Sequence, residues 1–137
     1  MKNRLISTAL LLIVTAACHS DDSIGPSGLL YKRWHVLQTR GVNDTVWAEY
    51  DTDAYYDTEY RPDGTLIYRR NGVLTSAPCC SASRFERNGV IIQYRDFLSS
   101  CPSVKCGANS PATITALSNN LLELQIGDWL TQYTPAQ

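Results

Sequence analysis

Residues 81–97 read SASRFERNGVIIQYRDF, and the pair Asn88-Gly89 in their middle decides how the rest of the chain is read. Asn-Gly is the strongest short hairpin signal, because both residue types tolerate the positive φ that a tight two-residue turn needs. Beyond it Val90, Ile92 and Tyr94 alternate with Ile91, Gln93 and Arg95, the period of a strand with one buried face. The same grammar extends outward, with turn signals at Pro62-Asp63-Gly64, Asn71-Gly72, Asn119-Asn120 and Gly127-Asp128. Tyr56, Thr58 and Tyr60 alternate with Tyr55, Asp57 and Glu59, and Leu122, Leu124 and Ile126 with Leu121, Glu123 and Gln125; the first trio of each set is expected on the core side. Strands are expected at 33–40, 45–50, 54–61, 65–70, 73–77, 81–87, 90–97, 112–118, 121–126 and 129–134. No helical period is sustained in the body, and a single helical or 3-10 turn has room only within Ser23 to Lys32, before the first strand. So many short antiparallel strands leave edges to be paired or covered, which a sheet rolled into a barrel achieves without extra chain.

The 137 residues, 44% apolar and 18% charged, fit one domain able to bury a core without a metal. Twelve Lys+Arg stand against thirteen Asp+Glu. Without the first seventeen residues, which hold Lys2 and Arg4 and no acid, ten face thirteen, so the remainder is acidic and nucleic acid is not an expected partner. Those residues, MKNRLISTALLLIVTAA, combine a basic start, an apolar stretch from Leu5 to Val14 and small residues before Cys18, the pattern of a secretory signal too short for a permanent span. Thr15-Ala16-Ala17-Cys18 resembles the bacterial lipoprotein signal, which implies that Cys18 carries a lipid and is the first mature residue; an ordinary cleaved signal is the alternative. Residues 18–28 then read as a flexible tether. Within it Asp21-Asp22 resembles the acidic export signal of Bacteroidetes lipoproteins, which implies an outer-membrane address and surface exposure, with a periplasmic orientation as the alternative.

From Leu29 on, a resemblance spans residues 29–135. Leu30-x-x-x-Trp34 opens the first strand, Tyr60-x-Pro-Asp-Gly-Thr-Leu stands midway, and Ile114-Thr-Ala-Leu-Ser-Asn-Asn-Leu-Leu-Glu-Leu leads into an aromatic last strand. In that order these segments resemble the bacterial lipocalin-like lipoproteins, of the calycin barrel type. The resemblance implies an all-β domain over 29–137: an up-and-down antiparallel β-barrel of about eight strands whose interior holds side chains or one small ligand. Two departures stand out. Lys32 occupies the place of the opening glycine, and no arginine follows Arg95, so the arginine that stacks on the opening tryptophan in animal transport lipocalins has no candidate in the last strands.

Candidate functional residues follow from side-chain chemistry. Three Trp, eight Tyr and two Phe supply flat apolar surface with polar tips, and Trp34, Tyr56, Tyr60, Tyr68, Tyr94 and Tyr133 are the expected lining of a ligand cavity. The competing expectation is that these rings simply fill the barrel. Besides Cys18, the cysteines are Cys79, Cys80, Cys101 and Cys106, which in an exported chain read as disulfides. A hairpin centred between Asn88 and Gly89 sets residue i opposite 177 minus i, so Cys80 faces the neighbourhood of Phe97 and Cys79 that of Leu98. Each of Cys79 and Cys80 is therefore expected to bridge to one of Cys101 and Cys106, with the pairing left open and a four-thiolate zinc site as the alternative. Asp44, Glu49, Asp51, Asp53, Asp57, Glu59 and Asp63 crowd one stretch, but without the glycine and terminal glutamate of an EF-hand loop they read as a solvent face rather than a calcium site. His35 is the one histidine of the body, inside a strand with no catalytic motif beside it. The expectation is a lipid-anchored envelope protein, not an enzyme and without cofactor or metal, that binds a small apolar or amphipathic molecule. The rival is a solid barrel that meets a protein partner, as an interaction or inhibitor module, through its outer surface or disulfide-bound loop.

Overall fold

The structure, a computed structural model, describes residues 27–97, 101, 106 and 110–137. The signal and most of the tether, with Cys18, lie outside the described residues. A 3-10 turn, Ser27–Leu30, precedes ten strands: β1 Arg33–Gly41, β2 Ala48–Glu49, β3 Tyr56–Tyr60, β4 Leu66–Arg70, β5 Val73–Thr75, β6 Ala82–Asn88, β7 Ile91–Phe97, β8 Ala112–Leu117, β9 Leu122–Ile126 and β10 Trp129–Pro135. The expected strand at 45–50 shrinks to two residues, both exposed, because neither has a core to pack against.

All pairings are antiparallel, in the order β5-β4-β3-β1-β10-β9-β8-β7-β6, with β2 added to β1. Chain neighbours are sheet neighbours except β2–β3 and β5–β6; β3 pairs instead with β1, and the β1–β10 ladder joins the two ends of the meander. This corrects the expected closed barrel of about eight strands: the described residues form ten strands, and among them no hydrogen-bonded ladder joins the edges β5 and β6. β6 instead meets the β3–β4 turn, through the bridge Thr65↔Arg84 and a hydrogen bond from Phe85 N to Gly64 O of 2.8 Å. The chain between the edges explains the open seam. Pro78 has no N–H to offer a ladder, and Cys80 takes a φ of 64°, which breaks extended pairing.

The turns carry the chemistry expected of them. Asn71 and Gly72, at φ 51° and 79°, join Arg70 to its partner Val73. The deciding hairpin needs a correction of register. Asn88 pairs with Ile91 and Ala82 with Phe97, so facing residues sum to 179 rather than 177. Gly89, at φ 59°, takes the first turn position and leaves Asn88 in the strand.

The core gathers at one end of the curled sheet. Leu30, Trp34, Leu66, Phe85, Ile92, Ile114, Leu122 and Leu124 are buried there. The 3-10 turn closes that end, with the Trp34 indole Nε1 donating to Leu30 O at 2.9 Å. Lys32 Nζ lies 5.1 Å from the Trp34 ring centre and donates to Asn119 O at 3.0 Å. Lys32 thus sets a cation against the Trp34 ring.

Candidate functional site

Above this packed floor the curled sheet encloses a cavity of about 760 Å³, within the size range of small-molecule sites. Trp34, Tyr56, Tyr60, Tyr68, Tyr94 and Tyr133 all line it. They come from β1, β3, β4, β7 and β10, and the ladders explain their convergence. Trp34 pairs with Thr58, Thr58 with Tyr68 and Val36 with Tyr133, so these side chains share the inner face.

The wall also contains residues that the sequence reading did not assign to a site. Val36, Thr58 and Ile126 belong to inward-alternating stripes and were within reach of it. Phe97 was not, because strict alternation with Tyr94 places it outside. Asp96, at φ 53°, breaks that alternation, and Phe97 joins the wall. Tyr50, Thr52, Asp53, Pro78 and Ser110 come from connecting segments, which carry no periodic signal.

Hydroxyl groups dominate the polar chemistry of the interior. The Tyr60 and Tyr94 hydroxyls share a hydrogen bond of 2.8 Å, and the Tyr68 hydroxyl donates to Ala82 O at 2.6 Å. The Tyr133 hydroxyl has no hydrogen-bond partner among the described residues. Burial disfavours the phenolate, so Tyr94 is pushed up to about 12 and Tyr60, Tyr68 and Tyr133 are also raised, reinforced at each of these three by the Tyr94 charge. All four therefore stay protonated at neutral pH.

The fixed charges of the wall are ion-paired. Asp57 and Arg69 share the wall, but the register puts their side chains on the outer face, opposite Tyr56, Thr58 and Tyr68. There Arg33 grips both Asp57 carboxylate oxygens at 3.0 and 2.7 Å, and Arg69 Nη2 reaches Glu59 at 2.6 Å. Asp57 is only 3% exposed, so the expectation that the acidic stretch forms a solvent face fails at this residue. The Arg33 hydrogen bond is the main cause of that guanidinium's raised pKa. Burial pushes the Glu59 carboxyl up, but hydrogen bonds from Arg69 and Arg61 outweigh it and hold the pKa below the ordinary value. At the rim Arg70 pairs with Asp53 at 2.8 Å, and its guanidinium lies 5.7 Å from the Tyr56 ring centre. His35 donates from Nδ1 to Tyr56 O at 2.6 Å and stacks on Tyr55 at 3.9 Å, an outer-face role remote from the cavity interior.

Both expected bridges are present, Cys79–Cys101 and Cys80–Cys106. Cys80 lines the cavity, so one staple forms part of its wall. Among the described residues no cluster of three or more His, Cys, Asp or Glu side chains is arranged to hold a metal ion.

No protein-family model and no curated protein matches the chain. Among solved structures it is similar to a lipocalin-like protein from Bacteroides uniformis ATCC 8492, with 13% sequence identity, coverage of 80% of this chain and 100% of that chain, and a TM-score of 0.47.

Proposed function

We propose that this chain is a binding module that holds a small apolar or amphipathic molecule inside a lipocalin-like, barrel-shaped sheet. The observation that carries the reading is the cavity of about 760 Å³ lined by Trp34 and six tyrosines. A site with a mostly apolar wall and a few convergent polar tips is how small molecules are oriented and held. In this reading the chain is exported, acylated at Cys18 and tethered to the cell envelope, with the outer membrane as its address. It acts by binding, not by catalysis: the interior offers phenol groups that stay protonated, and His35 is turned to the other face.

The rival reading is a protein-interaction or inhibitor module. It draws on exposed apolar side chains, Val46, Val73, Leu74 and Trp129, but the solid interior that it requires is not found.

Native mass spectrometry of protein purified from its host membranes tests the proposal. The expected result is an acyl mass on the N-terminal fragment beginning at Cys18, together with a small molecule that leaves on denaturation. Protein that is always recovered empty, and that takes up no amphiphile when one is offered, would overturn the binding reading.

A further inference from the structure

The hydroxyl arrangement identifies the class of guest more narrowly, resting on the binding reading above. We infer that the cavity selects an uncharged amphiphile that enters head first, its hydroxyl or carbonyl oxygen taken by Tyr60, Tyr94 and Tyr133 and its apolar body lying along Phe97 and Ile126 toward the rim.

Tyr68 spends its proton on Ala82 O, so its oxygen offers only lone pairs to a guest. Tyr60 and Tyr94 share one hydrogen bond between two hydroxyls, which leaves the pair one proton to donate. Tyr133 keeps both a donor and an acceptor free of protein partners among the described residues. The interior therefore matches a group that both accepts and donates, or a carbonyl that accepts twice. A carboxylate finds no compensation there, because the cations nearest the wall are already paired. Arg69 lines the wall but is ion-paired twice, with Glu59 at 2.6 Å and, through Nη1, with Asp57 at 3.7 Å, and Arg70 is paired with Asp53 at the exposed rim. An ammonium head finds neutral phenols, and the two carboxylates of the wall, Asp53 and Asp57, are already paired with Arg70 and Arg33. An ionised head placed among the phenols loses its hydration without a counter-charge. The apolar wall residues Phe97 and Ile126 stand at the ends of β7 and β9, on the open side, which sets the head-in direction.

The test is calorimetric titration with octanol, octanoate and octylammonium, using the full domain with both disulfides intact. At about pH 8, where the acid is ionised, octanol is expected to bind at least tenfold more tightly than either ion. Octanoic acid should recover most of that gap when titrated below about pH 4, where its head is neutral. Tyr133→Phe removes a hydroxyl that has no hydrogen-bond partner among the described residues. It should weaken octanol by roughly three- to tenfold, the range of one hydrogen bond, and leave thermal stability unchanged. Equal or tighter binding of octanoate at the higher pH, or an unchanged octanol affinity in Tyr133→Phe, overturns this inference while the binding reading stands. Failure of all three compounds to bind overturns both.

Discussion

Gly64 offers the sharpest test of how the curled sheet is held, because two independent costs meet at one position. Its φ is 81°, and a Cβ built there lies 2.8 Å from the Phe85 carbonyl oxygen. Alanine in the left-handed region costs about 1–2 kcal/mol. The contact adds to this, since backbone rather than a mobile side chain must retreat. Retreat stretches the 2.8 Å hydrogen bond from Phe85 N to Gly64 O, worth about 0.5–1.5 kcal/mol. Gly64→Ala should therefore destabilise the domain by about 2–3 kcal/mol, a fall in melting temperature of roughly 10 °C for a domain of this size. Gly72→Ala is the control. Its φ of 79° carries the same backbone cost, but nothing lies within 4 Å of its Cβ, so the loss should stop at about 1–2 kcal/mol. Chemical denaturation of both variants measures the difference, and hydrogen exchange at the Phe85 amide shows whether the seam has opened. If Gly64→Ala costs no more than Gly72→Ala, the contact between the β3–β4 turn and β6 does not help to hold the sheet curled.

Asp57→Ala should cost about 3 kcal/mol in urea denaturation, the low end for breaking a buried ion pair, because Arg33 is partly exposed and can turn to water. Alkali should unfold the protein early. The folded state holds the Tyr94 proton up to about 12 while the unfolded chain releases it near 10, so stability is level below about pH 10 and falls as pH rises toward 12, on the order of 2 kcal/mol from this group. A titration of tyrosinate absorbance should show the four cavity tyrosines ionising only with unfolding, and their ionisation alongside the exposed ones in the folded protein would contradict the burial assigned to them. Removing either staple, as Cys79→Ser/Cys101→Ser or Cys80→Ser/Cys106→Ser, should lower stability by about 3 kcal/mol in thermal denaturation, since each closes a long loop of 22 or 26 residues.

Much of this molecule was legible in the sequence, because its turns are spelled by residues that few other conformations want. Asn71-Gly72 and Gly127-Asp128 mark their hairpins within a residue, and the stripes of β3, β7 and β9 give the inner face. Of those stripes Tyr56, Thr58, Tyr60, Tyr94 and Ile126 line the cavity, and the aromatic inventory adds Trp34, Tyr68 and Tyr133. What was not legible depends on contacts distant in sequence or on single backbone angles. Asp57 alternates outward as expected, yet it is buried, because two arginines from flanking strands close over it. Phe97 turns inward through the φ of Asp96, and no property of the neighbouring side chains announces it. The two-residue error in the β6–β7 register arose because Asn-Gly fits two placements of a tight turn, and packing of Phe85 and Ile92 in the core selects one.

The two ends of the sheet solve opposite problems. At the closed end, stability comes from burial: Leu30 caps Trp34, Lys32 covers its ring, and Phe85 meets Tyr60 edge-on at 5.1 Å. A cavity forbids that solution at the other end, because every side chain that filled it would remove the space for a guest. The open end therefore needs restraints that occupy no interior volume. Disulfides meet that need, since in the chain-entropy account they act by limiting the unfolded state rather than by filling space. Adjacent Cys79 and Cys80 anchor two separate points, Cys101 and Cys106, of a segment rich in Ser, Pro, Gly and Asn that has little apolar surface to bury. They do so at the seam where Pro78 and the φ of Cys80 prevent a ladder from closing the sheet. The covalent staples thus stand where neither packing nor strand pairing can operate, and a hollow interior and a paired set of cysteines become two consequences of one constraint.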